Sequence, residues 1–400
     1  MSFLKRYLTE VKSKEKYYTE GHIMKNSITP GQISQNNLKL IYQYIYKNGP
    51  VSQQDIAFDL RLSRPTIKTK IEELESRGLI RKDGQIASDL AGRKAAAYSI
   101  DPEYRFAIGV EILKTQVKLL RVDLIGRSSC RTVLDLAYEN SDLYVTALCG
   151  EINRFIDSLP SGKDRILGIG LSFPGLVNAD ATEILYGNIL DCTGLNIATF
   201  RRHLSFPCRF LHDADAAADS ELWTSPELTD FLYLNISVHL GASVIHNRKI
   251  VSGLHGYSAT IEHIQIDPKG KLCYCGKRGC TETFCSLSAL LDGDDEETFF
   301  RELRAGNAAV RKRWKKYLHY TALVINNMHL LYDTVFVLGG YMAVHLLEED
   351  IEQLYDEISK MTPFPEVRDY IRISKMPKHS ITIGAALPYI REFLEGELID

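Results

Sequence analysis

Cys273-Tyr274-Cys275-Gly276-Lys277-Arg278-Gly279-Cys280 is the stretch from which the rest of the chain can be read, with His263 ten residues upstream of its first thiol. Three thiols and an imidazole make a full tetrahedral set for a closed structural zinc site. Cys273 and Cys275, two apart, reach one ion from a tight turn. Gly276 and Gly279 free the backbone to wrap the metal and bring Cys280 to the same point. Four protein ligands leave no position for a reactive water. His263, Cys273, Cys275 and Cys280 are therefore expected to hold one zinc per chain as a structural cofactor, not a catalyst.

Around this motif lie 400 residues, 45% of them hydrophobic, enough for a sizeable core and two or three domains. The net charge of −3 is unevenly spread. Residues 1–100 carry 17 Lys and Arg against 10 Asp and Glu, whereas the remaining 300 carry 31 against 41. A basic head on an acidic body points to a polyanionic partner for the head. Met1 to Glu20 is polar, and no run of about eighteen apolar residues exists, so neither secretion nor a membrane span is expected. The eight cysteines then belong to a reducing cytoplasm. Cys130, Cys149, Cys192, Cys208 and Cys285, outside the metal set, are expected as small core residues. No internal repeat is visible.

Residues 1–33 read as a polar extension, a loose helix or an arm, with Lys12, Lys14 and Lys16 close together. From Asn36, Leu38, Ile41, Tyr42, Ile45 and Tyr46 fall on one helical face, and Gly49-Pro50 stops that helix. Ser52 can cap a second helix with Ile56, Ala57 and Leu60. Ser63 can cap a third, whose Ile67, Ile71 and Leu74 face inward until Gly78. This succession suits a helix-turn-helix whose last helix offers Arg64, Thr66, Lys68, Thr69 and Lys70, with its cap Ser63, to a major groove. Leu79-Ile80 and Ala97–Ile100 read as the strands of a wing, with Gly92-Arg93-Lys94 in the loop between them. Arg93 and Lys94 are expected near phosphate or the minor groove.

C-x-C-G-x-x-G-C followed by x-Glu282, with its histidine ten residues upstream, resembles the signature of the ROK family (repressors, open reading frames and sugar kinases). The head is similar to the winged helix-turn-helix of ROK repressors, including the Gly-Arg pair of the wing. The fold implied is an N-terminal winged helix-turn-helix plus an α/β actin-like ATPase domain, sugar-kinase-like, with two lobes around a cleft. Strands at 106–112, 117–123, 166–172, 231–238, 243–245 and 334–338 alternate with helices at 142–159, 215–223 and 308–332, as an α/β fold requires. The expected domains are 1–33, 34–100, a first lobe of 101–211 plus 384–400, and a second lobe of 212–383 that includes the zinc.

A kinase of this fold needs glycine at its phosphate loops, because backbone N–H groups must approach ATP closely. The family's D-x-G-G-T is Glu111-Ile112-Leu113-Lys114-Thr115 here, and its G-T-G-x-G is Ser237-Val238-His239-Leu240-Gly241. Gly339-Gly340, on the adenosine side, survives. The chain is therefore expected not to be an enzyme.

On the sugar side the resemblance implies contacts from Gly175 of the Pro174-Gly175 turn, Asn196, His212, Asp213, Thr260, His263 and Glu282. Asp213 aligns with the kinases' general base, and its carboxylate can accept from sugar hydroxyls; the alternative role is a helix N-cap. The family's E-x-G-H is Thr260-Ile261-Glu262-His263, a hydroxyl in place of the sugar-contacting carboxylate. Either the ligand is unusual or the pocket is vestigial. The function implied is a bacterial, cytoplasmic repressor of carbohydrate genes. It would bind double-stranded operator DNA as a homodimer or dimer of dimers and respond to a sugar or sugar derivative. The alternatives are a ROK sugar kinase with an accessory DNA-binding domain, and a regulator answering to a protein partner.

Overall fold

The computed structural model describes residues 29–86, 94–160, 162–365, 367–376 and 378–397. The chain divides after Ile100 into two compact units.

In the first unit, helix α1 (Pro30–Asn48) opens on Thr29, which exchanges hydrogen bonds with Gln32 in a capping box. This box starts the helix ahead of the expected boundary at residue 33, which falls inside α1. Residues 1–28, with Lys12, Lys14 and Lys16, lie outside the described residues. Helix α2 (Gln53–Leu60) is capped by Ser52, and α3 (Arg64–Ser76) by Ser63, whose hydroxyl accepts from the Thr66 N–H at 3.3 Å. Leu38, Ile41, Tyr42, Ile45, Ile56, Ile67, Ile71 and Leu74 are buried as one small core. Strands β1 (Ile80–Ile86) and β2 (Ala95–Ile100) pair antiparallel as the wing, with the two-residue strand Val51–Ser52 on the other side of β2.

The second unit holds two five-stranded sheets. In the first, β3 (Phe106–Ile112), β4 (Val117–Asp123) and β5 (Ser128–Leu134) form an antiparallel meander. Strand β6 (Ile166–Phe173) then adds parallel to β3, and β7 (Cys208–His212) parallel to β6. Helix α4 (Asp142–Ser158) presses Leu148, Ile152 and Phe155 into this lobe's core. The chain then enters α5 (Asp213–Thr224), which leads to the second sheet. There β8 (Phe231–Ile236) and β9 (Leu240–His246) pair antiparallel, and the short strand Lys249–Ile250 completes a second meander. Helix α6 (Ala308–His329) precedes β10 (Val335–Gly339), parallel to β8; helix α7 (Glu348–Ile358) precedes β11 (Ile371–Ile373), parallel to β10. Numbered within its own lobe, each sheet has the order 3-2-1-4-5. The repeat that the sequence does not display is thus topological: it lies in strand pairing, not in residue identity.

Strand β5 is an exposed edge, so its polar face carried no core pattern, and Cys130 on it is exposed instead of buried. The last helix, α8 (Ser380–Glu392), begins before Gly384, not after it. Gly384 is a contact point: a Cβ there would lie 1.7 Å from the Ala216 carbonyl oxygen of α5. Likewise a Cβ on Gly109 of β3 would meet Thr382 O at 1.7 Å, and one on Gly170 of β6 would meet Ala385 O at 1.8 Å. Three glycines thus let α8 lie backbone-to-backbone on the first sheet and on α5. Gly384→Ala should destabilise the body by about 2 kcal/mol through overpacking, read as a lower urea midpoint; an unchanged midpoint would show that α8 can retreat freely.

Candidate functional site

The metal-binding candidates converge. His263 closes a 3-10 turn (Ile261–His263), and the loop returns Cys273, Cys275 and Cys280 so that all four ligand atoms lie within 4.8 Å of one another. The Cys275–Cys280 sulfurs are 3.6 Å apart, and Cys273 Sγ is 3.8 Å from His263 Nδ1. A tetrahedral zinc with bonds of about 2.3 Å has ligand–ligand edges near 3.8 Å, so the set fits a structural metal. Gly279 has φ 70°, and a Cβ on it would lie 1.4 Å from Asp267 O, which is why the loop needs glycine there. His263 presents Nδ1 to the sulfurs and leaves Nε2 buried without a partner.

Beside this cluster is a cavity of about 30 Å³, the room of a few waters at most. Of the expected ligand-binding residues, Gly175, His212 and Asp213 line it. A Cβ on Gly175 would sit 2.7 Å from Tyr186 O, so the turn is held against the short strand Ile184–Tyr186. Strand β7 ends in His212, and Asp213 is the first residue of α5 and not its N-cap; its Oδ1 accepts from the Ala214 N–H at 2.8 Å. His212 lies 3.3 Å from Asp213 and 3.5 Å from Asp215. Burial opposes its protonation, but the Asp215 hydrogen bond and the charges of Asp215, Asp213 and Glu262 outweigh that and raise its pKa to about 9. Burial raises the Asp213 carboxyl, against the charge of His212.

The remaining expected contacts are placed elsewhere, His263 among them: it turns Nδ1 to the thiols and does not line the cavity. Asn196 is exposed and spends its Oδ1 on the Ala198 N–H, while Asn188 lines the cavity instead. Thr260 donates to Tyr257 O at 3.0 Å and does not line it. Glu282 is drawn away: Oε1 pairs with His239 Nδ1 at 2.8 Å and Oε2 accepts from the Leu240 N–H at 2.7 Å. The physical reason is His239 itself, a side chain where the resemblance implies glycine. Tyr186, His239, Glu262 and Tyr274 line the cavity without having been singled out as ligand contacts. Tyr274 stands edge-on to both His239 and His263, with ring centroids 5.4 and 5.1 Å apart. Glu262 is 8% exposed, its Oε2 has no hydrogen-bond partner, and burial pushes its pKa up to about 7. A sequence signal for it existed: it is a carboxylate two residues from the one lost at Thr260.

A second cavity, about 210 Å³, lies by Gly340 and is lined by Glu111, Lys118 and Tyr341. Tyr341 Oη donates to Glu111 Oε1 at 3.0 Å and lies 2.6 Å from Lys118 Nζ, while Thr382 donates to Glu111 Oε2 at 2.7 Å. Glu111 and Lys118 belong to the first lobe and Tyr341 to the second, so the network bridges the cleft. Lys114 is exposed and Leu113 half-buried, and neither lines this cavity.

In the head, Arg64, Lys68 and Thr69 are exposed on α3, and Thr66 is half-buried with its hydroxyl 2.8 Å from Ser63 Oγ. Lys70 does not reach the outer face: it is half-buried and bonded to Glu73 at 2.7 Å, one helical turn on. Lys94 is exposed, and Arg93 lies outside the described residues.

A winged helix-turn-helix ahead of a two-lobed actin-like ATPase fold defines the class. The chain belongs to the ROK family, whose profile covers residues 108–391, and a winged helix-turn-helix DNA-binding profile covers residues 35–81. It is 25% identical over 258 residues to the xylose repressor of Bacillus subtilis, spanning 64% of this chain and 67% of that protein. It is 27% identical over 261 residues to the Escherichia coli DNA-binding transcriptional dual regulator NagC, spanning 64% of each. The crystal structure of a ROK family transcriptional regulator, a homolog of the E. coli MLC protein, has the same fold. It matches with a TM-score of 0.70 and 22% identity over 90% of this chain and 96% of that one. Among the described residues no helix is long and apolar enough to cross a membrane.

Two outcomes are expected at the site. Purified protein should carry one metal ion per chain by elemental analysis, and Cys275→Ser should lose the ion and melt at lower temperature. His212 has its folded pKa raised from 6.5 to about 9, so its contribution to stability is full below pH 6.5 and fades as pH rises through about 9. His212→Asn should therefore lose less stability than the parent between pH 6.5 and 9 in thermal unfolding; parallel profiles would remove the ion-pair assignment.

Proposed function

We propose that this protein is a bacterial, cytoplasmic transcriptional repressor of carbohydrate genes. Its winged helix would grip operator DNA, and its body would respond to a sugar-class ligand in the cavity beside the metal loop. The observation that carries this reading is α3, capped and presenting Arg64, Lys68 and Thr69, fused to a body with a polar cavity lined by Glu262, whose Oε2 is buried without a partner. Buried polar atoms left unpaired are costly, and a polyol supplies the missing donors and acceptors. Ser63, Thr66, Lys94 and Arg93 complete the proposed DNA contacts, and Gly175, His212 and Asp213 are the ligand contacts kept from the expectation. A single short recognition helix binds weakly, so the operator-bound form is a homodimer. Zinc is the ion, because three thiolates and one imidazole in a closed tetrahedral set favour it over harder cations.

The body is read as non-phosphorylating. Leu113 and Lys114 replace the glycines of the first phosphate loop and His239 one of the second. The protein's own Tyr341–Glu111–Lys118 network bridges the cleft by Gly340, lining the cavity there. Since the ligand cavity is about 30 Å³, a sugar has to spread side chains or lobes to enter, which couples binding to lobe geometry.

The test begins with selection of genomic fragments bound by the purified full-length protein, followed by a sugar panel for release. Arg64→Ala should weaken binding of the selected operator about ten-fold or more without altering the melting temperature. Failure to select any duplex would overturn the reading, as would phosphate transfer from ATP to a hexose that Asp213→Asn abolishes.

A further inference from the structure

The turn that joins α2 to α3 closes in a conformation that suits glycine, yet an arginine occupies it. Arg61 has φ 54° and ψ 37°, in the left-handed region, just past the end of α2. Its N–H donates to Phe58 O at 3.3 Å, and the Leu62 N–H reaches back to Ala57 O at 3.2 Å, the bonding that ends a helix through such a residue. A side chain with a Cβ is disfavoured there, whereas glycine is not. The turn itself therefore gives no reason for a long side chain at this position.

The head does not hold the guanidinium either. Arg61 is exposed and makes no ion pair or side-chain hydrogen bond among the described residues. Asp59, the nearest acid along the chain, accepts the Tyr44 hydroxyl instead. The cations further along α3 behave differently. Lys68 lies 3.9 Å from Glu72 and Lys70 lies 2.7 Å from Glu73, while Arg77, at the helix end, is 2.7 Å from the same Glu73. Acids one turn away thus offset these three charges. Arg61 and Arg64 have no such acid, so unopposed positive charge gathers at the N-terminal end of α3.

That end is the one a recognition helix turns into the major groove. A chain leading into it crosses the rim of the groove, where the phosphates run, and Arg61 stands two residues before the Ser63 cap. A free guanidinium at this place finds its acceptor in a phosphate oxygen, which it can take through a fork of two N–H groups. We propose that Arg61 is a phosphate-binding positioning residue that seats α3 on the duplex backbone, held in a turn whose conformation opposes it. The inference rests on the DNA-binding reading above and adds to it a contact that supplies affinity but reads no base.

The test uses the full-length protein with the selected operator and with a scrambled duplex of equal length, followed by fluorescence anisotropy across a series of salt concentrations. Arg61→Gly should weaken binding about five-fold or more, by the same factor on both duplexes. The slope of log affinity against log salt should become shallower by about one. Amide exchange in α2 and α3 should be no faster than in the parent, because the turn then carries the residue it prefers. Arg61→Lys, which keeps the charge, should restore the parent slope. Arg64→Ala supplies the contrast, with a loss larger on the operator than on the scrambled duplex. If Arg61→Gly leaves affinity and slope unchanged while the parent grips its operator, the phosphate contact is overturned and the DNA-binding reading stands. A loss confined to the operator, with the slope unchanged, overturns it as well, in favour of a base contact. If the parent holds no duplex at all, both fall together.

Discussion

The body depends on one close approach. Helix α8 lies against β3, β6 and α5 at backbone distance, and only glycine at 109, 170 and 384 allows it. Through this contact Thr382 is brought to Glu111, so the end of β3 is tied to the C-terminal helix. On its other side α8 fixes α5, whose first residue, Asp213, lines the cavity beside the metal loop. Ala216, Ala217 and Ala218 of α5 sit in a core shared with Phe231, Tyr233 and Val337 of the second sheet and Ile381 of α8. The small residues here are positional: a larger one at any of them would push apart the elements that place the site.

A second constraint is electrostatic. His239 takes the carboxylate of Glu282, which turns Glu282 away from the cavity that the resemblance assigns to it. His212 gathers Asp213 and Asp215 in the same way. Glu262 lines the same cavity and leaves its buried Oε2 without a hydrogen-bond partner. The cavity is therefore polar and lined by a different set of residues from the one the resemblance implies.

The cleft between the lobes is bridged by Tyr341, which reaches from the second lobe to Glu111 and Lys118 of the first. Here side chains make the connection, so under the proposed reading the lobe geometry has one variable left, the occupant of the cavity beside the metal loop.

What the sequence determined by itself is local. Helix caps at Ser52 and Ser63, the inward faces of α1 and α3, the strands at 106–112 and 117–123 and the Cys-rich loop could all be read from it, because caps, periodicity and ligand spacing act over a few residues. The metal set is legible for the same reason: glycine and thiol spacing alone bring three of its four ligands to one point. Tertiary structure decided the rest. The edge strand β5 and the short β7 and β11 carry too little pattern to announce themselves, and the twin sheet order exists only in how strands pair. That Lys70 turns to Glu73, that Asn188 replaces Asn196, and that Glu262 lines the cavity while Glu282 does not, depend on partners far away in the chain. Such partners are chosen by packing and by the cost of leaving a buried charge alone, and neither is written in the neighbouring residues.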